Sequence, residues 1–100
     1  MIIIGSTLRI SAIITQDGVP CNLDGASVNI SYKKPSSVTG LWPAIIDSTV
    51  SGIVHCDIAA TTNDERGPWV IWGNVTFSGG TIMNTPGRTM VVYPEGSVLP

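Results

Sequence analysis

One hundred residues with a net charge of −2 make one domain and leave no room for a second core. Charged residues are 12% of the chain against 43% hydrophobic, half the ~25% charge usual in soluble proteins. That balance excludes disorder and implies a surface that another protein covers. The five basic residues, Arg9, Lys33, Lys34, Arg66 and Arg88, are scattered and form no stripe able to neutralise phosphates, so no nucleic-acid partner is expected.

Met1-Ile2-Ile3-Ile4 opens the chain as an apolar run cut by Gly5-Ser6. It is too short for a signal-peptide core or a membrane-spanning helix, and no membrane partner is expected. No segment sustains a helical period, whereas strand signals recur between Gly, Pro, Asn and Asp clusters. The first strand is expected from Thr7 to Thr15, with Leu8, Ile10, Ala12 and Ile14 on one face. Gln16-Asp17-Gly18 turns the chain, and Leu23-Asp24-Gly25 turns it again into a strand over Ala26 to Lys33. There Val28, Ile30 and Tyr32 alternate with Asn29, Ser31 and Lys33 in the pattern of a half-buried antiparallel strand.

Pro35-Ser36-Ser37 ends that strand. A run from Leu41 to Asp47 follows, and Pro43 assigns it to an edge. Gly52 to Ala60 reads as a strand with Val54, Cys56 and Ile58 inward. The polar run from Thr61 to Gly67 reads as an exposed loop. Trp69 to Phe77 is the longest strand, with Trp69, Ile71, Val75 and Phe77 on one face. Gly79-Gly80 marks a hairpin because both positions permit positive φ, and Arg88 to Tyr93 supplies the last strand. About seven short strands at this spacing predict an all-β fold, an immunoglobulin-like antiparallel β-sandwich. A small barrel is the alternative.

Strand alternation decides among the candidate chemistries. In His55-Cys56-Asp57, Cys56 points opposite to its neighbours, and His55 is the only histidine, so neither a catalytic pair nor a histidine metal site is expected. The chain reads as no enzyme, with no cofactor and no metal. Cys56 is expected in the core and Cys21 in a turn-rich segment, both as free thiols; Val54 stands where a tyrosine corner would need Tyr. Asn29-Ile30-Ser31 and Asn74-Val75-Thr76 match the glycosylation sequon but fall inside strands. Asp17, Asp24, Asp47, Asp64 and Glu65 are spread over loops without calcium-loop spacing. Trp42, Trp69 and Trp72 raise a carbohydrate-binding platform as the alternative function, although Trp69 and Trp72 fall on opposite faces of one strand.

Asn22-Leu23-Asp24-Gly25-Ala26-Ser27-Val28 followed by Lys33-Lys34-Pro35, then Gly67-Pro68-Trp69-Val70, Gly79-Gly80 and Thr85-Pro86, resembles the N-terminal domains of phage baseplate upper proteins and related phage immunoglobulin-like modules. The resemblance spans roughly residues 20 to 93, and its motifs are structural. It implies a bacteriophage virion protein, made in the host cytoplasm, that docks on capsid, neck or tail/baseplate subunits and forms a homo-oligomer in the particle. In that family the module commonly precedes a receptor-binding or trimerisation region. Here the sequence stops at Pro100, which favours a stand-alone neck or capsid-decoration role.

The single domain covers residues 1–100, with a core over about 6–93 and short terminal arms. Neither Met1 to Ile4 nor Pro94 to Pro100 has the pattern of a further layer, and an exposed apolar run invites pairing with another chain. Ile2, Ile3, Ile4, Val98 and Leu99 are therefore the candidate protein-interface residues. The competing reading makes Ile2 to Ile4 an extension of the first strand.

Overall fold

Period-two alternation becomes burial along the long strands of the computed structural model, which describes residues 2–98. In β5 (Ser27–Lys33) Val28 and Ile30 are buried, with Tyr32 half-buried beside them. In β9 (Gly67–Thr76) Trp69 and Val75 are buried, with Ile71 half-buried on the same face. Among the described residues every regular element is a strand.

A six-stranded sheet runs in the order β1 (Ile2–Ile3), β11 (Arg88–Tyr93), β9, β5 and β6 (Thr39–Pro43), with β10 (Ile82–Asn84) also paired to β9. A three-stranded sheet runs β2 (Leu8–Ile13), β8 (Ile53–Ile58), β7 (Ile45–Ser48). β3 (Thr15–Gln16) and β4 (Val19–Pro20) form a small hairpin whose turn residues Asp17 and Gly18 both take positive φ, as a two-residue hairpin loop requires.

One core joins the two larger sheets. Toward one end, Val28 and Val75 meet Val54 of the three-stranded sheet, closed by Ile14, Cys21 and Leu23 from the connecting segments. Toward the other, Ile30, Trp42, Trp69 and Val92 meet Cys56 and Ile58. These side chains remove their apolar surface from water at roughly 25 cal/mol per Å², the main force holding the sheets together.

β10 and β11 lie on the same edge of β9, separated by an irregularity at Thr85-Pro86-Gly87. Thr85 N–H donates to Gly73 O at 2.9 Å, and Gly73 N–H donates to Thr85 Oγ1 at 2.7 Å. The threonine hydroxyl thus stands in for a main-chain acceptor where Pro86 disturbs the ladder. A Cβ on Gly73 would sit 3.3 Å from the Thr85 side chain, so a larger residue at this junction would crowd the threonine that bonds it.

Three expectations are corrected. The run Leu41 to Asp47 is two strands, β6 and β7, in different sheets; the chain crosses at Ala44, whose N–H donates to Val28 O at 3.0 Å. The larger sheet is mixed and not purely antiparallel, because β1 pairs parallel with β11 through Ile2↔Val92 and Ile3↔Tyr93. Ile2 to Ile4 is therefore not an extension of β2: Ile2 and Ile4 pack against the core around Trp69 and Val92, and Ile4 N–H donates to Tyr93 O at 2.9 Å.

Candidate functional site

The outward face of the six-stranded sheet gathers exposed apolar side chains from several neighbouring strands. Trp72, Ser31 and Leu41 form one cross-strand row. Thr89, Val70, Lys33 and Thr39 form the next, and Val91 beside Pro68 a third. Tyr93 pairs with Ile3 at the far end. Leu41 is 57% exposed, Val91 42%, Tyr93 40% and Val70 39%. Toward the opposite end the face turns polar: Asn74 Nδ2 donates to Asn84 Oδ1 at 2.7 Å, and Ser31 Oγ donates to Asn74 Oδ1. Among the described residues alternation assigns Lys33 as the only charged side chain on this face, so little desolvation opposes covering it.

The outward face of the three-stranded sheet has the opposite character. Arg9 Nε and Asp57 Oδ1 form an exposed ion pair at 2.7 Å. The hydrogen bond from Arg9 holds the Asp57 carboxyl below its ordinary range. On the same face His55 Nδ1 lies 2.7 Å from Asp47 Oδ2. Cys56 points the other way into the core and is 1% exposed, where burial raises its thiol above the usual value and suppresses the nucleophilic thiolate. Cys21 and Cys56 are both buried free thiols, seated at different ends of the core. Among the described residues no three His, Cys, Asp or Glu side chains converge as metal ligands.

The tryptophans divide between core and surface. Trp42 stacks on Tyr32 with ring centroids 4.1 Å apart, and lies 6.3 Å from Trp69 in a stacked arrangement. Trp69 is 1% exposed and its Nε1 donates to Glu65 O at 2.9 Å. Two of the three rings are thus interior, and only Trp72 remains for a sugar. Above Trp69 the loops are tied by charge. Lys34 Nζ sits 5.4 Å from the Trp69 ring centroid and pairs with Asp64 at 2.7 Å. The Glu65 carboxylate accepts from Ser36 N–H and Ser36 Oγ at 3.1 and 2.8 Å.

Of the interface residues expected from sequence, Ile2, Ile3 and Ile4 are half-buried along β11, while Val98 is 85% exposed. Leu99 lies outside the described residues, as do Met1 and Pro100. Asn63, expected in an exposed loop, is 2% exposed. Its Nδ2 donates to Ile3 O and Ser6 O at 2.9 and 3.1 Å, and its main-chain carbonyl accepts from Gly5 N–H at 2.8 Å. Asn63 pins the crossing from β1 to β2, and nothing in a polar run of this composition distinguishes it from its neighbours. The exposed sheet face could have been read from sequence, because the outward positions of β5 and β9 alternate with those assigned to the core.

A cleft of about 240 Å³ opens between the free edge of β2 and the junction around Thr85. Ile10, Ala12 and Ile14 form one wall, Ile30 and Ile71 contribute to its lining, and Trp72, Pro86 and Arg88 stand on the far side. No protein-family model and no curated protein matches the chain.

Proposed function

We propose that this chain is an immunoglobulin-like sandwich serving as a structural protein of a bacteriophage virion, docked through the outward face of its six-stranded sheet. The fold reading is supported by strand order. If β2, β5, β7, β8, β9 and β11 are lettered B, C, D, E, F and G, the sheets read G-F-C and B-E-D, the arrangement of immunoglobulin domains. β1 beside β11 then replaces the first strand of the smaller sheet.

The observation that carries the docking role is the sheet face of Leu41, Val70, Trp72, Val91 and Tyr93 with its single charge at Lys33. Contiguous exposed apolar surface of this kind marks protein contact sites. The phage assignment rests on the resemblance through Leu23-Asp24-Gly25-Ala26 and Gly67-Pro68-Trp69. Capsid, neck and tail or baseplate subunits are the partners it implies.

Two measurements test the reading. Genes for capsid, portal or tail proteins beside the encoding gene support the virion assignment, and their absence from the encoding genome removes it. The variant Val70→Lys/Val91→Lys changes only exposed side chains, so its melting temperature should match the parent while incorporation into particles fails. Incorporation at the parental level would overturn docking through this face.

A further inference from the structure

Among the described residues β2 has one partner, β8, and its other edge is open. Ile14 N–H donates to Gly52 O at 2.8 Å on the β8 side. By alternation the N–H and C=O groups of Ser11 and Ile13 then point toward the open side. β11 is paired on that side of the molecule only at Val92 and Tyr93, by β1. The space below β1, between the edges of β2 and β11, is the mouth of the cleft lined by Ile10, Ala12, Ile14 and Ile71.

A free strand edge beside an apolar cleft is the geometry of strand addition, in which main-chain bonds give affinity and pockets for alternate side chains give specificity. The cleft volume, about 240 Å³, falls below the ~300–1,000 Å³ of small-molecule sites and suits one or two aliphatic side chains. One charge stands at its lining: Arg88, which joins no salt bridge or side-chain hydrogen bond among the described residues. An occupant that presents a carboxylate there gains a charge-assisted, bidentate partner.

We propose that the β2 edge and its cleft form a strand-addition site for a partner protein's extended segment, one with aliphatic residues at alternate positions and an acidic residue facing Arg88. The added strand runs antiparallel to β2, which is also the direction of β1, and lies in the line that β1 begins. Its aliphatic side chains enter between Ile10, Ala12 and Ile71, and its outward ladder groups meet Ser11 and Ile13. Apart from Trp72, which stands on the outward face of the six-stranded sheet and also borders the cleft, the site lies away from that face, and it does not depend on the virion assignment.

The test titrates the full chain with the capped peptide Ac-Thr-Val-Thr-Ile-Thr-Val-Asp-NH2, read by amide chemical shifts and Trp fluorescence. Saturable binding is expected, with shifts concentrated at residues 9–14 and 85–90. Methylating alternate peptide nitrogens on the ladder side should weaken binding tenfold or more, while methylating the other set should leave it within about twofold. Arg88→Glu, an exposed change, should weaken this peptide at least tenfold and favour the counterpart ending in Lys. No saturation by millimolar peptide overturns the proposal, as does equal loss from both methylation patterns or a shift map on Leu41, Val70 and Val91. A peptide-free dimer joined edge to edge through β2 would make the occupant a second copy and overturn it as well.

Discussion

Replacing Asn63 by Ala should loosen the N-terminal strand before anything else. The side chain is buried and donates to the carbonyls of Ile3 and Ser6. Each such bond contributes about 1 kcal/mol net, so losing both costs ~2 kcal/mol. The Ser6 carbonyl belongs to an exposed residue and rehydrates, whereas Ile3 is half-buried beneath the crossing; an acceptor left dry there adds up to ~1 kcal/mol. Asn63 Oδ1 has no partner among the described residues, and its removal offsets part of that addition. The sum is ~2–3 kcal/mol, or roughly 10–20 °C in melting temperature for a domain of this size. Hydrogen exchange should localise the effect: the Ile4 amide, bonded to Tyr93 O, loses protection more than amides in β8 or β9. Asn63→Asp keeps the volume but turns an acceptor toward two carbonyls, and should be worse than Ala. A melting temperature within ~2 °C of the parent, with Ile4 still protected, would refute the reasoning.

Trp69→Ala should cost ~3–5 kcal/mol, a large share of the ~5–15 kcal/mol holding a typical domain, because Trp69 is fully interior and its indole N–H is bonded. Trp72→Ala, on the opposite face, should cost far less in thermal melts; the reverse order would mean the faces of β9 are exchanged. Thiol titration of unreduced, denatured protein should give two equivalents per chain from Cys21 and Cys56, while native protein reacts slowly at both; a value near zero after denaturation would contradict the two free thiols. Acid melts should show a shared loss at Asp57 and Asp64, whose carboxyls sit below their ordinary range through hydrogen bonds from Arg9 and Lys34. A depressed folded value means that stability is present above the ordinary carboxylate range and lost as pH falls through the folded value. Asp57→Asn/Asp64→Asn should flatten that limb, and an unchanged acid profile would show that the pairs contribute nothing.

The alternation of Val28, Ile30 and Tyr32 and the face of Trp69, Ile71 and Val75 were legible because a strand buried on one side repeats every two residues. That same rule hid the crossing at Ala44. Trp42, Ala44 and Ile46 all point inward while Leu41, Pro43 and Ile45 point outward, so the in-and-out pattern continues unbroken as the chain changes sheets. Only the ladder partners change, and partners are not written in local sequence. Ile2-Ile3-Ile4 carries no alternation at all, and its pairing with Val92 and Tyr93 spans nearly the whole chain. Asn63 was missed for a different reason: a carboxamide in a polar run is usually solvated, and only the carbonyls of Ile3 and Ser6 explain its burial. The sheet face carrying Val70 and Val91 follows from alternation once the core face is assigned. The open edge of β2 could not be foreseen, since it depends on where β1 goes.

The parallel pairing of β1 with β11 also sets how the molecule bears a pull. The chain enters β1 at Ile2, at the start of that strand, and leaves β11 at Tyr93, at its finish. Tension between those two points draws the strands past one another along their length. The bonds between them, with the Ile4 amide and the Asn63 clamp, share the load and must fail together. The β9–β10 hairpin, pulled at its open end, would instead unzip with its bonds breaking in succession. A chain tethered by both ends is therefore stiffest along the line joining them, and β1 is the catch that holds until the rest can extend.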